Sequence, residues 1–385
     1  MNKPEPKVIK KKLKQREKDN SRRQLKPHKE YPADFSSNDY LGFSKSEEIQ
    51  RETENILQNY SGLKLGTTGS RLLSGNHQLF EPAENFIAGF HNSKSALLFN
   101  SGFNANLGLL SALPQRNDLI FYDELSHASI RQGVRLSMAK AIKFKHNDLP
   151  DLKSKIERFQ NPKTTCYIAT ESVFSMDGDS PELEGLVDLC EKKNCHLILD
   201  EAHALGVIGN QGRGLAEKYK LENRIFARVV TFGKAMGAHG AAVLGSENLR
   251  EFLINFSANF IYTTALSPRS VAHILAAYRE LQKSKVTDSF QYDIKFFREV
   301  IEKNNLSDHF LNSTSAIQSC VIPGNSTVKS IAKDLQEKGS NVRPVLSPTV
   351  PKGQERLRFC LHVFLQPKQI ANALKILRIN LSSSA

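Results

Sequence analysis

Between about residues 94 and 245, short apolar runs alternate with stretches of helical character, and each run ends in a polar or glycine-rich turn. The runs are ALLF, DLIFYD, TTCYIATE, CHLILDEA and RVVTFG. Near-continuous apolar strands alternating with helices predict an α/β fold with a mainly parallel sheet covered on both faces. In such sheets ligands bind beyond the carboxyl ends of the strands, so the polar residues that close these runs are where chemistry is expected. One intervening helix is well marked at SPELEGLVDLCEKK. Ser180 is placed to cap it and Pro181 suits its first turn, while Leu183, Leu186, Val187 and Cys190 share one face.

A proline-marked break near Leu266–Ser267–Pro268 is followed by a long helical stretch and then a change of pattern. Val328, Ile331 and Leu335 predict a helix ending at Gly339. RLRFCLHV alternates, with Leu357, Phe359, Leu361 and Val363 on one face and Arg358, Cys360 and His362 on the other. Ile370, Ala373, Leu374 and Leu377 line a last helix. The expected organisation is a basic segment over 1–45, a large α/β domain over 46–270 and a smaller α+β domain over 271–385. A length of 385 residues accommodates that division.

With 39% hydrophobic and 24% charged residues, the chain is neither collagen-like nor disordered. No apolar run approaches the ~20 residues of a membrane-spanning helix. The net charge of +13 invites a nucleic-acid reading, but residues 1–30 hold nine Lys and three Arg against four acids. That segment, with KVIKKKLKQREK at its centre, accounts for most of the excess. It lacks the apolar core of a signal peptide and reads as a solvated helix or an arm that attracts anions. Five cysteines with no C-x-x-C pair argue against a disulfide framework or a zinc site. A cytoplasmic location and no metal, membrane or nucleic-acid partner are expected.

Three strand ends carry the candidate chemistry. CHLILDEAHALG puts Asp200 at the end of an apolar run with His203 three residues on. A lone buried carboxylate is costly, so Asp200 needs a partner. The same D-E-A-H string occurs in nucleic-acid helicases, but that reading requires a G-x-x-x-x-G-K-[ST] loop, and the chain has none. TFGKAMG places Lys234 in a glycine-flanked turn after Val229 and Val230. A lysine there is ordinarily a surface charge, but when desolvated its amine can form a Schiff base. In LLFNSGFNAN, Ser101, Gly102 and Phe103 enter a helix whose exposed N–H groups suit a phosphate.

An acid for a ring nitrogen, an amine for an imine and a phosphate cradle together are what pyridoxal 5′-phosphate (PLP) requires. Here the chain resembles the α-oxoamine synthases, enzymes of the fold-type I, aspartate-aminotransferase-like PLP superfamily. The likeness runs from about Phe35 to Leu377. It is carried by FSSNDYLG, GTTGSRLLSG, SGFNAN, DELSHASIRQG, ESVFSMDGDS, LDEAHALGVIGNQGRG, TFGKAMGAHGAAVLGS, IYTTALSP and SPTVPKGQERLR.

The resemblance implies roles. Lys234 would hold PLP covalently and later move the substrate's α-proton, and Asp200 would pair with the ring nitrogen. His203 and Ser175 would bond the ring oxygen, and His127 would stack on the ring. Taken alone, both histidines would instead read as core or capping residues. Ser101, Gly102, Phe103 and Thr231 would hold the phosphate, with Thr263 and Thr264 reaching the same site of a neighbouring subunit in a homodimer. Arg358, assisted by Asn38, would clamp the carboxylate of the amino-acid substrate.

The strings FSMDGD and PTVPxGxxRLR favour L-alanine and a pimeloyl thioester, carried on coenzyme A or acyl carrier protein, as substrates. Glycine with acetyl-CoA, or serine with a long acyl thioester, are the alternatives within the family, and a non-enzymatic binding protein lies outside it. Two departures bear on acyl recognition. Leu346 stands where some relatives have an arginine, leaving that task to Arg343, to Arg22 or Arg23, or to no residue at all. His239 replaces a small residue and has no assigned role.

Overall fold

The computed structural model describes residues 5–25, 27 and 29–382. In chain order, α1 (Lys7–Lys18), β1 (Ala33–Asp34), α2 (Glu47–Gln58) and α3 (Phe80–Phe90) come first. Alternating elements follow: β2 (Ser95–Phe99), α4 (Gly102–Ala112), β3 (Leu119–Asp123), α5 (Ala128–Leu136), β4 (Lys140–Phe144), α6 (Leu149–Phe159) and β5 (Cys166–Glu171). Then come α7 (Leu183–Lys192), β6 (Cys195–Asp200), α8 (Leu215–Lys218), β7 (Ala227–Thr231) and β8 (Ala241–Gly245). Four helices succeed them: α9 (Glu247–Phe256), α10 (Ala258–Ile261), α11 (Pro268–Lys283) and α12 (Val286–Lys303). The chain closes with β9 (Ile317–Val321), α13 (Asn325–Glu337), β10 (Ser340–Asn341), β11 (Arg343–Val345), β12 (Arg356–Cys360) and α14 (Pro367–Ser382).

These elements form two compact units, a larger one of residues 38–175 and 179–292 and a smaller one of 1–37, 176–178 and 293–385. The expected junction at 270/271 falls inside α11, which packs against α2 and α3 and so sits wholly in the larger unit.

The larger unit is built on a seven-stranded sheet of order β2-β8-β7-β6-β5-β3-β4. β4, β3, β5, β6 and β7 are parallel, and β8 runs antiparallel between β7 and β2. Every residue of β2, β5 and β7 is buried, which is why these strands read as unbroken apolar runs. On one face Ala105, Leu109, Ile130 and Leu253 pack over Phe99, Ala169, Ile198 and Val229. Full burial of each aliphatic side chain contributes about 1.5–3 kcal/mol, enough to make the sheet a rigid base for the strand ends. Those ends are polar: Asp123 closes β3, Glu171 β5, Asp200 β6 and Thr231 β7.

Leu183, Leu186, Val187 and Cys190 form the buried face of α7, as their spacing predicts. The cap is different. Glu182, not Ser180, precedes the helix, and its carboxylate accepts the Gly185 N–H at 2.9–3.0 Å.

In the smaller unit, β12 lies between β11 and β9 in an antiparallel sheet, and β1 pairs in parallel with β10. Val328, Ile331 and Leu335 are buried in α13, and Gly339 follows it at φ +90°, a left-handed conformation suited to glycine. The alternation expected for RLRFCLHV holds on one side only. Leu357, Phe359 and Leu361 are buried, but so are Cys360 and His362 on the supposedly polar side. Chain from the N-terminal segment covers that side: Cys360 N–H donates to Phe35 O at 2.9 Å, and His362 Nε2 lies 2.6 Å from Asp34 O. Residues 176–178 are tied into the same unit. Arg356 Nη1 sits 2.9 Å from Asp177, and the Ser313 and Ser319 hydroxyls donate to the carbonyls of Gly178 and Met176. The FSMDGD and RLR strings thus meet through the Asp177–Arg356 ion pair.

All five cysteines are free and buried. Among the described residues, no helix is long and apolar enough to cross a membrane.

Candidate active site

Beyond the carboxyl ends of β5, β6 and β7 the larger unit carries an open-mouthed cavity of about 230 Å³. Its walls include Asn38, Ser101, Gly102, Phe103, His127, Asp200, His203, Thr231 and Lys234, so nine of the residues singled out in the sequence converge in one place. His239, left without a role by the sequence, is also at the wall and exposed.

Lys234 sits in the connection between β7 and the antiparallel β8. Phe232, Ala235 and Met236 are buried and anchor that loop, while Lys234 is half-buried. Gly237 closes the turn at φ +57°, with its N–H donating to Lys234 O at 2.9 Å. A Cβ at Gly237 would come within 2.2 Å of Ser44 N, so only glycine fits. The ammonium donates to Thr231 Oγ1 at 3.2 Å.

Asp200 is 4% exposed, and each of its oxygens has a donor. Asn106 Nδ2 donates to Oδ2 at 2.6 Å and Ala202 N–H to Oδ1 at 2.9 Å. Asn106 also donates to Ser129 Oγ at 3.1 Å, and Ser129 Oγ lies 2.7 Å from His127 Nδ1. That ring nitrogen further accepts the Ser129 N–H at 3.3 Å, so His127 caps α5 and faces the cavity at once. Two contacts on Nδ1 place the ring proton on Nε2. Burial outweighs the pull of Asp200, and the His127 imidazole is held below its ordinary pKa. A neutral ring is the form suited to stacking.

His203 is positioned by Tyr40, a fully buried side chain whose hydroxyl lies 2.7 Å from His203 Nδ1 and donates to Asn38 Oδ1 at 3.3 Å. At the mouth of α4, Ser101 is the N-cap and its Oγ accepts the Asn104 N–H at 3.2 Å. A Cβ at Gly102 would fall 2.3 Å from the Thr231 methyl, so glycine keeps the helix N-terminus open beside Thr231.

Asn106, Ser129 and Glu171 line the cavity without having been singled out in the sequence. Glu171 closes TTCYIATE, so its signal was the rule that polar strand ends carry chemistry. Asn106 lies one helical turn beyond Gly102, in SGFNAN. Thr263 accepts from Asn100 Nδ2 at 2.8 Å beside a separate crevice shared with Thr264, and Ser175 follows the buried Phe174 in the loop after β5. Arg22, Arg23, Arg343 and Arg358 belong to the smaller unit. There Arg22 pairs with Glu17, Arg23 donates to Thr349 Oγ1 at 3.1 Å, and Arg343 is the register partner of the half-buried Arg358.

A half-buried histidine ties two of the strand-end segments together. His146 Nδ1 lies 3.0 Å from Asp123 Oδ1 and Nε2 2.8 Å from Asp179 Oδ2, joining the end of β3 to the loop after β5. Burial disfavours its charge, but the two carboxylates prevail and push its pKa up to about 10.

The cavity offers an amine, a carboxylate with both oxygens pre-bonded, a neutral imidazole, and a glycine-opened helix N-terminus beside a threonine hydroxyl. That donor set fits the aldehyde, ring nitrogen, ring face and phosphate of PLP. Fold and site together define a PLP-dependent enzyme of fold type I. The chain belongs to the aminotransferase class I and II family, whose sequence model matches residues 32–377. It is 41% identical over 374 residues to the 8-amino-7-oxononanoate synthase of Emericella nidulans, covering 91% of this chain and 89% of that one. The crystal structure of 8-amino-7-oxononanoate synthase from Francisella tularensis superposes with a TM-score of 0.77 at 32% identity, covering 91% of this chain and 98% of the other. A serine palmitoyltransferase from Sphingomonas wittichii superposes with a TM-score of 0.86 over 98% and 96% of the two chains, but at 24% identity it speaks to the fold alone.

Proposed function

We propose that this enzyme condenses L-alanine with a pimeloyl thioester, with loss of carbon dioxide and free thiol, to give 8-amino-7-oxononanoate, a step toward biotin. The observation that carries the reading is the strand-end cavity in which Lys234, Asp200, His127 and His203 converge, in a chain 41% identical to a synthase of that name. When bound, PLP supplies an electron sink for the negative charge that develops at the alanine Cα.

The chain's own groups do the rest. Lys234 would hold the cofactor through its amine, and its Nζ is the group that would remove the alanine Cα proton and later return one. Asp200, already oriented by Asn106 and Ala202, would pair with the ring nitrogen and favour its protonated form. His127 would cover the ring as a neutral imidazole. His203, oriented by Tyr40, would take the ring oxygen, as the resemblance also implies for Ser175. Ser101, Gly102, Phe103 and Thr231 would receive the phosphate at the N-terminus of α4.

Arg358 enters on the resemblance of its RLR motif, as the guanidinium that takes the alanine carboxylate together with Asn38. A homodimer is the proposed active unit, in which Thr263 and Thr264 serve the neighbouring copy. Their position off the chain's own cavity supports that reading. The proposed setting is the cytoplasm. The acyl donor is anionic whether it is carried on coenzyme A or on acyl carrier protein, and Arg22, Arg23 and Arg343 are proposed to help receive it.

The deciding experiment crosses alanine, glycine and serine with acetyl, pimeloyl and palmitoyl thioesters in one turnover assay. Alanine with a pimeloyl thioester is expected to give the highest kcat/KM. Efficient turnover of glycine with acetyl-CoA, or of serine with a palmitoyl thioester, in its place would overturn the assignment.

A further inference from the structure

Two carboxyl groups line the cavity, and they sit on neighbouring strands at the same level. Glu171 closes β5, Asp200 closes β6, and the two are register partners in the parallel sheet, so their side chains leave the same face. Their surroundings are unequal. Asp200 has a donor on each oxygen, from Asn106 Nδ2 and Ala202 N–H. Glu171, 2% exposed, accepts only the His127 N–H, at 2.5 Å to Oε1, among the described residues. Of two neighbouring buried carboxyls, the one with fewer donors is the one more readily protonated.

We propose that Glu171 is a positioning residue that works as a neutral carboxylic acid, fixing the main chain at His127 and leaving Asp200 as the only anion on the cavity wall. The groups that face it from each neighbouring element agree with that state. Burial raises its affinity for a proton well above that of an ordinary glutamate, and the charges of Asp200 on β6 and Asp123 on β3 reinforce it. The His127 N–H at the start of α5 and the Lys234 ammonium oppose this only in part.

The consequence is for Lys234. A second carboxylate on the wall would pair more firmly with the Lys234 ammonium and hold its proton, making the neutral amine that bonds an aldehyde or accepts a proton harder to reach. Keeping Glu171 protonated removes that competitor while its other oxygen still anchors His127. The inference rests on the cavity being the PLP site, but not on which acyl donor the enzyme uses.

The test compares Glu171→Gln, which preserves shape and the acceptor oxygen, with Glu171→Ala, which loses both. The infrared difference spectrum between wild-type protein and Glu171→Gln at neutral pH, recorded without substrates, is expected to show a protonated-carboxyl C=O band that the variant lacks. Titrated with PLP, Glu171→Ala is expected to bind ~10-fold more weakly, the cost of one lost anchoring hydrogen bond. Glu171→Gln is expected to recover affinity to within about threefold of wild type. Absence of the carboxyl band, or a Gln variant that binds PLP no better than the Ala variant, would overturn the proposal. Neither readout uses alanine or a thioester, so a failure here is distinct from a failure of the proposed reaction.

Discussion

The cavity and the helix α1 stand at opposite extremes of how this chain uses polar residues. Around the cavity, Asp200, Asn106, Ser129 and Glu171 are all under 5% exposed, and each is hydrogen-bonded to another group. In α1 none of the twelve residues is buried, and seven of them are basic. A helix of that length is marginal in water without packing. The turn that follows it does the holding: Asp19 O accepts from Asn325 Nδ2 at 2.9 Å, and Asn20 contacts Ser326 and Lys329. The difference follows from what each region has to achieve. Moving a proton at one carbon needs groups fixed in place, and a buried hydrogen-bonded network fixes them. An exposed basic helix can act on an anion only through its field, which reaches through water and tolerates motion.

The strongest break of the comparison is at Lys234. Lys234→Ala is expected to abolish turnover and the visible absorbance of the cofactor–lysine bond, checked by spectrum and assay. A variant with normal turnover would remove Lys234 from its role.

A smaller effect is expected at His146. The folded pKa of His146 is raised from 6.5 to about 10, so the stabilisation it supplies is fully present below pH 6.5 and is lost as pH rises through 10. His146→Gln is expected to lower Tm by ~2–5 °C at pH 7, and the gap from wild type should close toward pH 10. Calorimetry across that range reads it. A gap independent of pH would show that His146 is not charged in the folded enzyme.

The smallest effect belongs to α1. Deleting residues 5–18 is expected to leave kcat unchanged and lower kcat/KM for the acyl donor by ~3–10-fold at low salt, a loss that disappears as ionic strength rises. Initial rates with a pimeloyl thioester at several salt concentrations measure it. If the truncated and full chains respond to salt alike, the helix is solvated charge and nothing more.

How much of this the sequence disclosed depends on the range of the interaction. β2, β3, β5, β6 and β7 were legible because both faces of each are covered and the whole run is apolar. β4 was not: Lys140, Ala141 and Lys143 of KAIKF are exposed at the sheet edge, and only Ile142 and Phe144 are buried. β8 reads as a glycine- and alanine-rich loop, and it is a strand only because β2 and β7 flank it. The residues with a reaction written into a motif, Lys234 and Asp200, were legible. Asn106 was not, because an asparagine on a helix says nothing until the fold brings Asp200 and Ser129 to it. The same holds for Cys360 and His362, whose burial depends on Asp34 and Phe35, more than 300 residues earlier in the chain.

That last separation bears on the order of synthesis. Ala33 pairs with Ser340 and Asp34 with Asn341, with Ala33 N–H donating to Gly339 O and Phe35 N–H to Asn341 O. At ~5–20 residues per second, the segment made first waits roughly 15–60 s for the strand it pairs with. Throughout that interval its basic residues are in solution and β1 has no neighbour. A highly charged segment of this kind stays soluble while unpaired, which suits a strand whose neighbour is made more than 300 residues later.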